Sequence, residues 1–219
     1  MNSREKVFAV LEGKAIEEKP VFIWPQEEMY SDFAVMPATN GITHVGRSRV
    51  VLAEIESPFS RSTKRGMQLV QVLRTDPQHG ETLLNSLISE TKAEIETAIE
   101  RNADGIFYWL RGAEPSFTTP MEYGGHFLEA DREILQSANA ALIVLFVDGG
   151  AGTYLDFVSD LPASIFAWDC EQTGVDVNAV RRMRNGVLAT NSAAADILFG
   201  HNYGVLRPWI KRSVATSSV

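Results

Sequence analysis

Three polar residues stand where apolar runs end: Arg111 after "GIFYWL", Asp148 after "LIVLFV" and Asp169 after "IFAW". An arginine in such a place can clamp a carboxylate through its forked donors, and a carboxylate there can hold a cation or act as a general base. Asp148 and Asp169 are therefore the candidate catalytic groups, and Arg111 the candidate anchor for an acidic substrate. Each also has a plainer use. Asp148, ahead of "GGAGTYLDFV", suits an Asx turn or a helix N-cap, and that use is favoured. Asp169 could equally be a turn-forming carboxylate, and Arg111 a surface loop residue. Trp24, Tyr108, Trp109 and Trp168 lie at or near the same strand ends and could wall a flat ligand, although aromatic residues in strands more often serve the core. Glu27, Glu28, Glu54 and Glu56 would make the rim acidic, which is also the usual fate of solvated carboxylates. Cys170, the single cysteine, has no adjacent His or Lys to activate it and reads as an inert thiol.

The elements that must position these residues alternate along the chain. "NSREKVFAVLEG" offers Asn2 or Ser3 as an N-cap, an apolar face of Val7, Phe8, Val10 and Leu11, and Gly13 as a stop, which predicts a short helix. "KPVFIW" and "SRVVLAEIE" predict strands. Between them, "PQEEMYSDFAVMPATNGITHVGRS" shows no sustained period and reads as mostly irregular. From Thr75 a long amphipathic helix is expected, with Thr75 or Asp76 as cap, Pro77 at its first position, and apolar residues recurring at three- and four-residue steps from Leu83 to Ile99. Strands then follow at 104 to 110, 141 to 147, 164 to 169, 186 to 190 and 203 to 206. Helices around 120 to 137, 151 to 160, 176 to 184 and 192 to 198 separate them.

Apolar runs joined by helices imply a parallel sheet, either open and doubly wound or closed into a barrel. No Gly-rich phosphate loop follows any strand, which weighs against ordinary nucleotide binding and favours the barrel. Seven strands are counted in 219 residues, close to the lower limit of about 200 for an eight-unit barrel. The expected architecture is thus one α/β domain over residues 1–219, a (β/α)8 TIM-type barrel shortened or incomplete around its second strand.

Composition narrows the partners. With 45% hydrophobic and 22% charged residues, the chain reads as globular, and its longest apolar run, "AALIVLFV", is far below the ~20 residues of a membrane span. A net charge of -8 argues against nucleic acid, whose backbone selects clustered Lys and Arg. One cysteine and no secretory pattern at the N-terminus fit a cytoplasmic protein.

Several stretches, in order, resemble the uroporphyrinogen decarboxylase superfamily, which also contains corrinoid-dependent methyltransferases. "REKVFAVLEGKAIEEKPVFIW" is similar to the family's first helix and strand, and "VVLAEIESPFS" to a strand ending in a Pro-Phe-Thr-like turn. "LRTDPQHGETLLNSLISETKAEIETAIERNADGIFY" resembles its long helix and following strand. "FTTPMEYGGHFLEADREIL", "ALIVLFVDG", "IFAWDCEQTGVDVNAVRRM" and "GVLATN" follow the later elements. The resemblance implies a barrel with its site at the C-terminal mouth, where Trp168 and Asp169 match a Trp-Asp strand end and His201, in "FGHNYGVLRP", resembles a Gly-His turn contacting tetrapyrrole side chains.

The departures limit what carries over. The loop after the first strand, "PQEEMYSDF", has no arginine, and the segment bearing the family's decarboxylating acid looks largely deleted between Tyr30 and Ser48. Methyltransferase relatives hold zinc through His and Cys, because zinc deprotonates a thiol nucleophile; here the nearest positions are Phe146 and Asp148, and Cys170 lacks a His-x-Cys partner. No metal and no other cofactor is expected. The leading functional expectation is a carboxy-lyase or binder acting on a small or tetrapyrrole-like organic acid. The alternatives are a non-catalytic member working through ligand binding or homodimerisation, the dimer covering the gap left by the second strand, and a methyltransferase-like enzyme.

Overall fold

The computed structural model describes residues 1–18, 20–23, 31–38, 48–138, 141–190 and 205–209. Helix α1 (Ser3–Leu11) opens with a reciprocal cap: the Asn2 side chain accepts the Glu5 N–H at 2.9 Å, and the Glu5 carboxylate accepts the Asn2 N–H at 3.0 Å. Strands β1 (Val21–Ile23), β2 (Phe33–Pro37) and β3 (Val50–Glu56) follow, then helices α2 (Pro58–Lys64), α3 (Leu69–Thr75) and α4 (Pro77–Glu100). Asp76 caps α4 by accepting the His79 N–H at 3.1 Å, with Pro77 at the first helical position as expected. Strand β4 (Gly105–Leu110) leads to the single turn α5 (Pro120–Glu122), a π-helical turn at Tyr123–Phe127, and α6 (Leu128–Ser137). The chain continues through β5 (Leu142–Val147), α7 (Leu155–Val158), β6 (Ile165–Trp168), α8 (Cys170–Thr173), α9 (Val177–Met183), β7 (Val187–Thr190) and β8 (Val205–Trp209).

All eight strands pair in parallel in the order β1-β8-β7-β6-β5-β4-β3-β2. The fold is α/β, a parallel sheet clothed by helices. The second strand is therefore present, contrary to the irregular reading of its segment: Phe33 pairs with Val50 and Pro37 with Glu54. "FAVMP" is too short and too uniformly apolar to show a period, and its proline falls at the last position, where it ends the strand. Helices α2 and α3 replace the turn expected after β3: Ser57 caps α2 and Pro58 stands at its first position, where a missing N–H costs nothing. The expected helix at 151 to 160 shrinks to α7, since Gly152 adopts φ +84 and holds the preceding residues out of helical geometry. The helix expected around 192 to 198 lies outside the described residues.

Burial separates the sheet into two faces. One row of side chains, including Leu52, Phe107, Val144, Phe146, Ile165 and Ala167, packs together with Phe33 and with Val7 and Val10 of α1. The alternate row, including Ile55, Ile106, Leu145, Phe166 and Leu188, packs against the buried faces of the helices. Such two-sided burial is what continuous apolar strands are suited to. At the N-terminal end, the Asp104 carboxylate joins elements by pairing with Arg4 and accepting the Val51 N–H at 2.9 Å. Arg184 staples another corner, donating to the carbonyls of Ser159, Leu161 and Ala163 at 3.0, 3.3 and 3.2 Å over the Phe166 ring. Burial draws its pKa down to about 10, which leaves it charged at neutral pH. No helix among the described residues is long and apolar enough to cross a membrane.

Gly105 shows how closely β4 and β5 approach. A Cβ built there would stand 1.9 Å from the Leu142 carbonyl oxygen, which is backbone and cannot rotate away. Gly105→Ala should therefore destabilise the protein by about 3 kcal/mol, the upper range for overpacking a tight contact. An unchanged urea midpoint in that variant would show that the strands tolerate separation.

Candidate active site at the C-terminal strand ends

The side-chain parity established along the strands decides which candidate residues meet. Trp109 is level with Phe146 across the β4–β5 ladder, and both belong to the inner row. Continuing the same row by two residues brings Arg111 and Asp148 to the ends of β4 and β5 and Asp169 to the end of β6. Arg111 and Asp148 do meet. The Arg111 Nε lies 3.2 Å from Asp148 Oδ2, while the Trp109 indole N–H donates to that same oxygen at 3.1 Å. The Arg111 Nε is buried but not aligned for a hydrogen bond, so the contact is a charge pair rather than a directed bond. The guanidinium also lies over two rings, 5.9 Å from the Trp109 centroid and 5.4 Å from that of Phe117. Its two Nη groups make no hydrogen bond among the described residues.

The loops that carry this group are fastened from several sides. Ser57, the N-cap of α2, donates its N–H to the Trp109 carbonyl at 3.0 Å, and the Ser60 hydroxyl reaches that carbonyl at 3.1 Å. Gly112 adopts φ +95, and a Cβ there would meet the Phe59 ring at 2.6 Å, so only glycine lets the chain turn away behind Arg111. Glu114 accepts the Gly150 N–H at 2.6 Å, and the Tyr154 hydroxyl donates to the Thr118 carbonyl at 2.6 Å, tying the loop after β5 to the loop after β4. None of Ser57, Glu114 or Phe117 stood out in the sequence, because their roles depend on backbone partners far along the chain.

Asp169 is used differently. Its side chain accepts the Gln172 N–H at 2.8 Å and its carbonyl accepts the Thr173 hydroxyl at 2.7 Å, so it caps α8, the turn-forming use weighed from sequence. Asp148 serves Trp109 and Arg111 instead of capping a helix. Tyr108 and Trp168 stand apart from that group. Both are fully buried and belong to the row facing the helices, one residue out of phase with Trp109 and Arg111, and Trp168 donates to the Val175 carbonyl at 2.8 Å. Trp24, His201, Glu27 and Glu28 lie outside the described residues. Glu54 and Glu56 are half-buried at the end of β3, with Lys64 2.8 Å from Glu56.

The thiol-binding zinc of methyltransferase relatives would need a clustered donor set. Among the described residues no group of three His, Cys, Asp or Glu side chains could hold a metal, and Cys170 occupies the first turn of α8. The residues described do not fit that ion.

Behind the sheet, Tyr108 takes part in a polar cluster the sequence did not disclose. Its hydroxyl donates to Asp131 Oδ1 at 2.6 Å and that of Tyr123 donates to Oδ2 at 2.9 Å. The sequence carried one signal: Asp131 shares a helix face with Phe127, Ala130, Ile134 and Leu135, all buried. Burial lifts the Asp131 carboxyl to about 7 despite the two hydrogen bonds that favour its charged form, and burial beside Asp131 raises both tyrosines.

No family model matches the chain, and no curated protein does. Solved structures match. One, described as a methyltransferase from Methanosarcina mazei, superposes with a TM-score of 0.70 at 12% identity, covering 95% of this chain and 92% of its own. At that identity the likeness is one of fold. It agrees with the α/β architecture of parallel strands and helices described above.

The sign of the Asp131 effect is fixed by its raised folded-state pKa. The stability it contributes is complete below the unfolded value near 4 and is lost as pH rises through about 7. A shift of that size corresponds to roughly 4 kcal/mol. Asp131→Asn should therefore flatten the loss of stability between pH 5 and pH 8, as read from urea melts at the two values. A variant as pH-sensitive as the parent would mean that another group carries the dependence.

Proposed function

We propose that the sheet closes into a (β/α)8 barrel and that its C-terminal mouth binds a small organic acid against Arg111. Closure is supported by the strand order, which leaves β1 and β2 at its two ends, and by the approach of these two strands to each other. The observation that carries the ligand class is the state of Arg111. One edge of its guanidinium rests beside Asp148 and its face lies over Trp109 and Phe117, while both Nη groups remain without a hydrogen bond among the described residues. A planar fork held in this way matches the two oxygens of a carboxylate. Binding rather than lysis is the reading, because Asp148 and Asp169, the two candidate acids, already serve protein partners.

A second reading is methyl transfer, favoured by the printed description of the Methanosarcina mazei structure. Incubation with methylcobalamin and a small thiol tests it. Loss of the methylcobalamin absorbance beyond the protein-free rate supports transfer, and an unaltered spectrum decides against it.

Binding itself is measured by calorimetric titration with acetate, succinate, citrate and a tetrapyrrole carboxylic acid. At least one should bind saturably, and Arg111→Gln should weaken it by about 10- to 100-fold, the range expected for losing a charge-assisted pair. Equal affinity in the variant, or no binding by any of the four, would overturn the assignment of Arg111.

A further inference from the structure

The helical segment that follows the loop after β4 is interrupted by one wider turn. At Tyr123–Phe127, between α5 and α6, the Leu128 N–H reaches back five residues to the Tyr123 carbonyl, a π-type bond. That turn decides whether Tyr123 can reach Asp131. In unbroken α-helix, eight residues at ~100° each would leave the two side chains about 80° apart around the axis. One π turn absorbs roughly a residue and brings them to within about 20°, like an i, i+7 pair. The Tyr123 hydroxyl then donates to Asp131 Oδ2 at 2.9 Å, while Tyr108 of β4 donates to Oδ1 at 2.6 Å. Gly124 and Gly125 lie in the same turn, and a Cβ built at either meets nothing nearer than 3.7 Å, so no packing at these two positions resists rewinding.

A carboxylate accepts from both hydroxyls, one on each oxygen. A neutral carboxyl must donate its own proton, and the acceptors within this cluster are the same two hydroxyl oxygens. One tyrosine then keeps its bond as a donor, and the other is left with a buried proton and no acceptor. Ladders on both sides fix Tyr108 in β4, so Tyr123 is the one free to move. We propose that Asp131 and the π turn form a proton-operated latch: the ionised carboxylate holds Tyr123 and the π winding, and protonation releases Tyr123 and lets Tyr123–Phe127 rewind as α-helix. Burial, which lifts the Asp131 carboxyl to about 7, sets the change near neutral pH, with the latch closed above that value and open below it. No cation among the described residues pairs with Asp131. Arg132, its neighbour on α6, is held by Glu129 and Asp160, Lys92 of α4 by Glu133, and Arg61 of α2 by Glu94. Tyr154, whose ring lies 6.4 Å from that of Tyr123, gives its hydroxyl to the Thr118 carbonyl. His126 belongs to the turn and packs edge-on against Phe127.

Amide hydrogen exchange in the full chain tests this, each rate being divided by that of the unstructured peptide at the same pH. Protection of the Tyr123–Phe127 amides should fall about tenfold between pH 8 and pH 5.5, as expected for losing a hydrogen bond to a charged group, while that of α4 does not fall. Asp131→Asn, neutral throughout, and Tyr123→Phe, which lacks the hydroxyl, should both show the low value at either pH. His126→Gln should keep the parent's dependence. Should Asp131→Asn fail to fold, Tyr123→Phe decides. Equal protection of the turn at the two pH values, a matching fall in α4, a dependence that survives in Tyr123→Phe, or one that vanishes in His126→Gln would overturn the latch.

Discussion

A parallel sheet buried on both faces obliges each strand to give alternate side chains to different neighbours, and the arrangement at the strand ends follows from that parity. Leu52, Phe107, Val144 and Ala167 go to one face, and Ala53, Ile106, Ile143 and Phe166 to the other. The ladder holds the phase from strand to strand, because Phe107 is paired with Val144 and Phe146 with Ala167. Where the apolar cores of the strands stop, the inner row continues as Trp109, Arg111, Asp148 and Asp169. A slip of one residue in β4 would exchange Trp109 for Tyr108 and leave the Asp131 carboxyl buried without one of its two donors. Packing between α1 and the inner face, and between α4 and the outer one, thus specifies the chemistry at the mouth without touching it.

Position alone does not make an arginine into an anchor; immobility does. A free arginine side chain gives up about 2 kcal/mol of rotamer freedom on being fixed. In Arg111 much of that freedom is already removed, because Asp148 holds one edge and two rings lie against its plane. Asp148 is in turn oriented by the Trp109 indole, and Trp109 by the carbonyl contacts from Ser57 and Ser60. The chain of support runs from an inner-row aromatic to a loop carboxylate to the guanidinium. Each member has a named partner, which is the condition under which a partly buried charge stays where it is needed.

Much of the fold could be read from residue order. The caps at Asn2 and Asp76 are visible in the sequence, as is the alternation of strand and helix from Thr75 onward, since both are local: the signal and the structure it predicts lie within a few residues. Strand β2 was not legible, because five apolar residues without alternation look the same in a loop, a helix turn or a buried strand. The site was half legible. A polar residue at a strand end is a local signal, and it picks out Arg111 and Asp148, which the structure brings together. Strand parity places Tyr108 and Trp168 in the helix-facing row, but only once the register across β4, β5 and β6 is known. Ser57, Glu114 and Asp131 each have a partner 23 to 52 residues away, and no local pattern reports such pairings.

The likeness to a methyltransferase bears on this unevenly. At 12% identity over 95% of the chain, what two proteins share is the distribution of apolar volume, which tolerates wholesale substitution so long as pattern and size persist. Catalysis depends on single atoms at the mouth, and a likeness of fold leaves those unconstrained. The distinction is concrete here. The described mouth presents an arginine, an indole and carboxylates, a set suited to recognising charge and a flat surface. Cys170, the one thiol, belongs to the first turn of a short helix whose cap is Asp169. Transfer of a methyl group to a metal-bound thiolate draws on a cluster of donors, and recognition of an acid on a fixed cation; both are decided by such single atoms. Which act this scaffold performs is set by the identity of a few side chains at the ends of β4, β5 and β6, and the fold alone does not choose it.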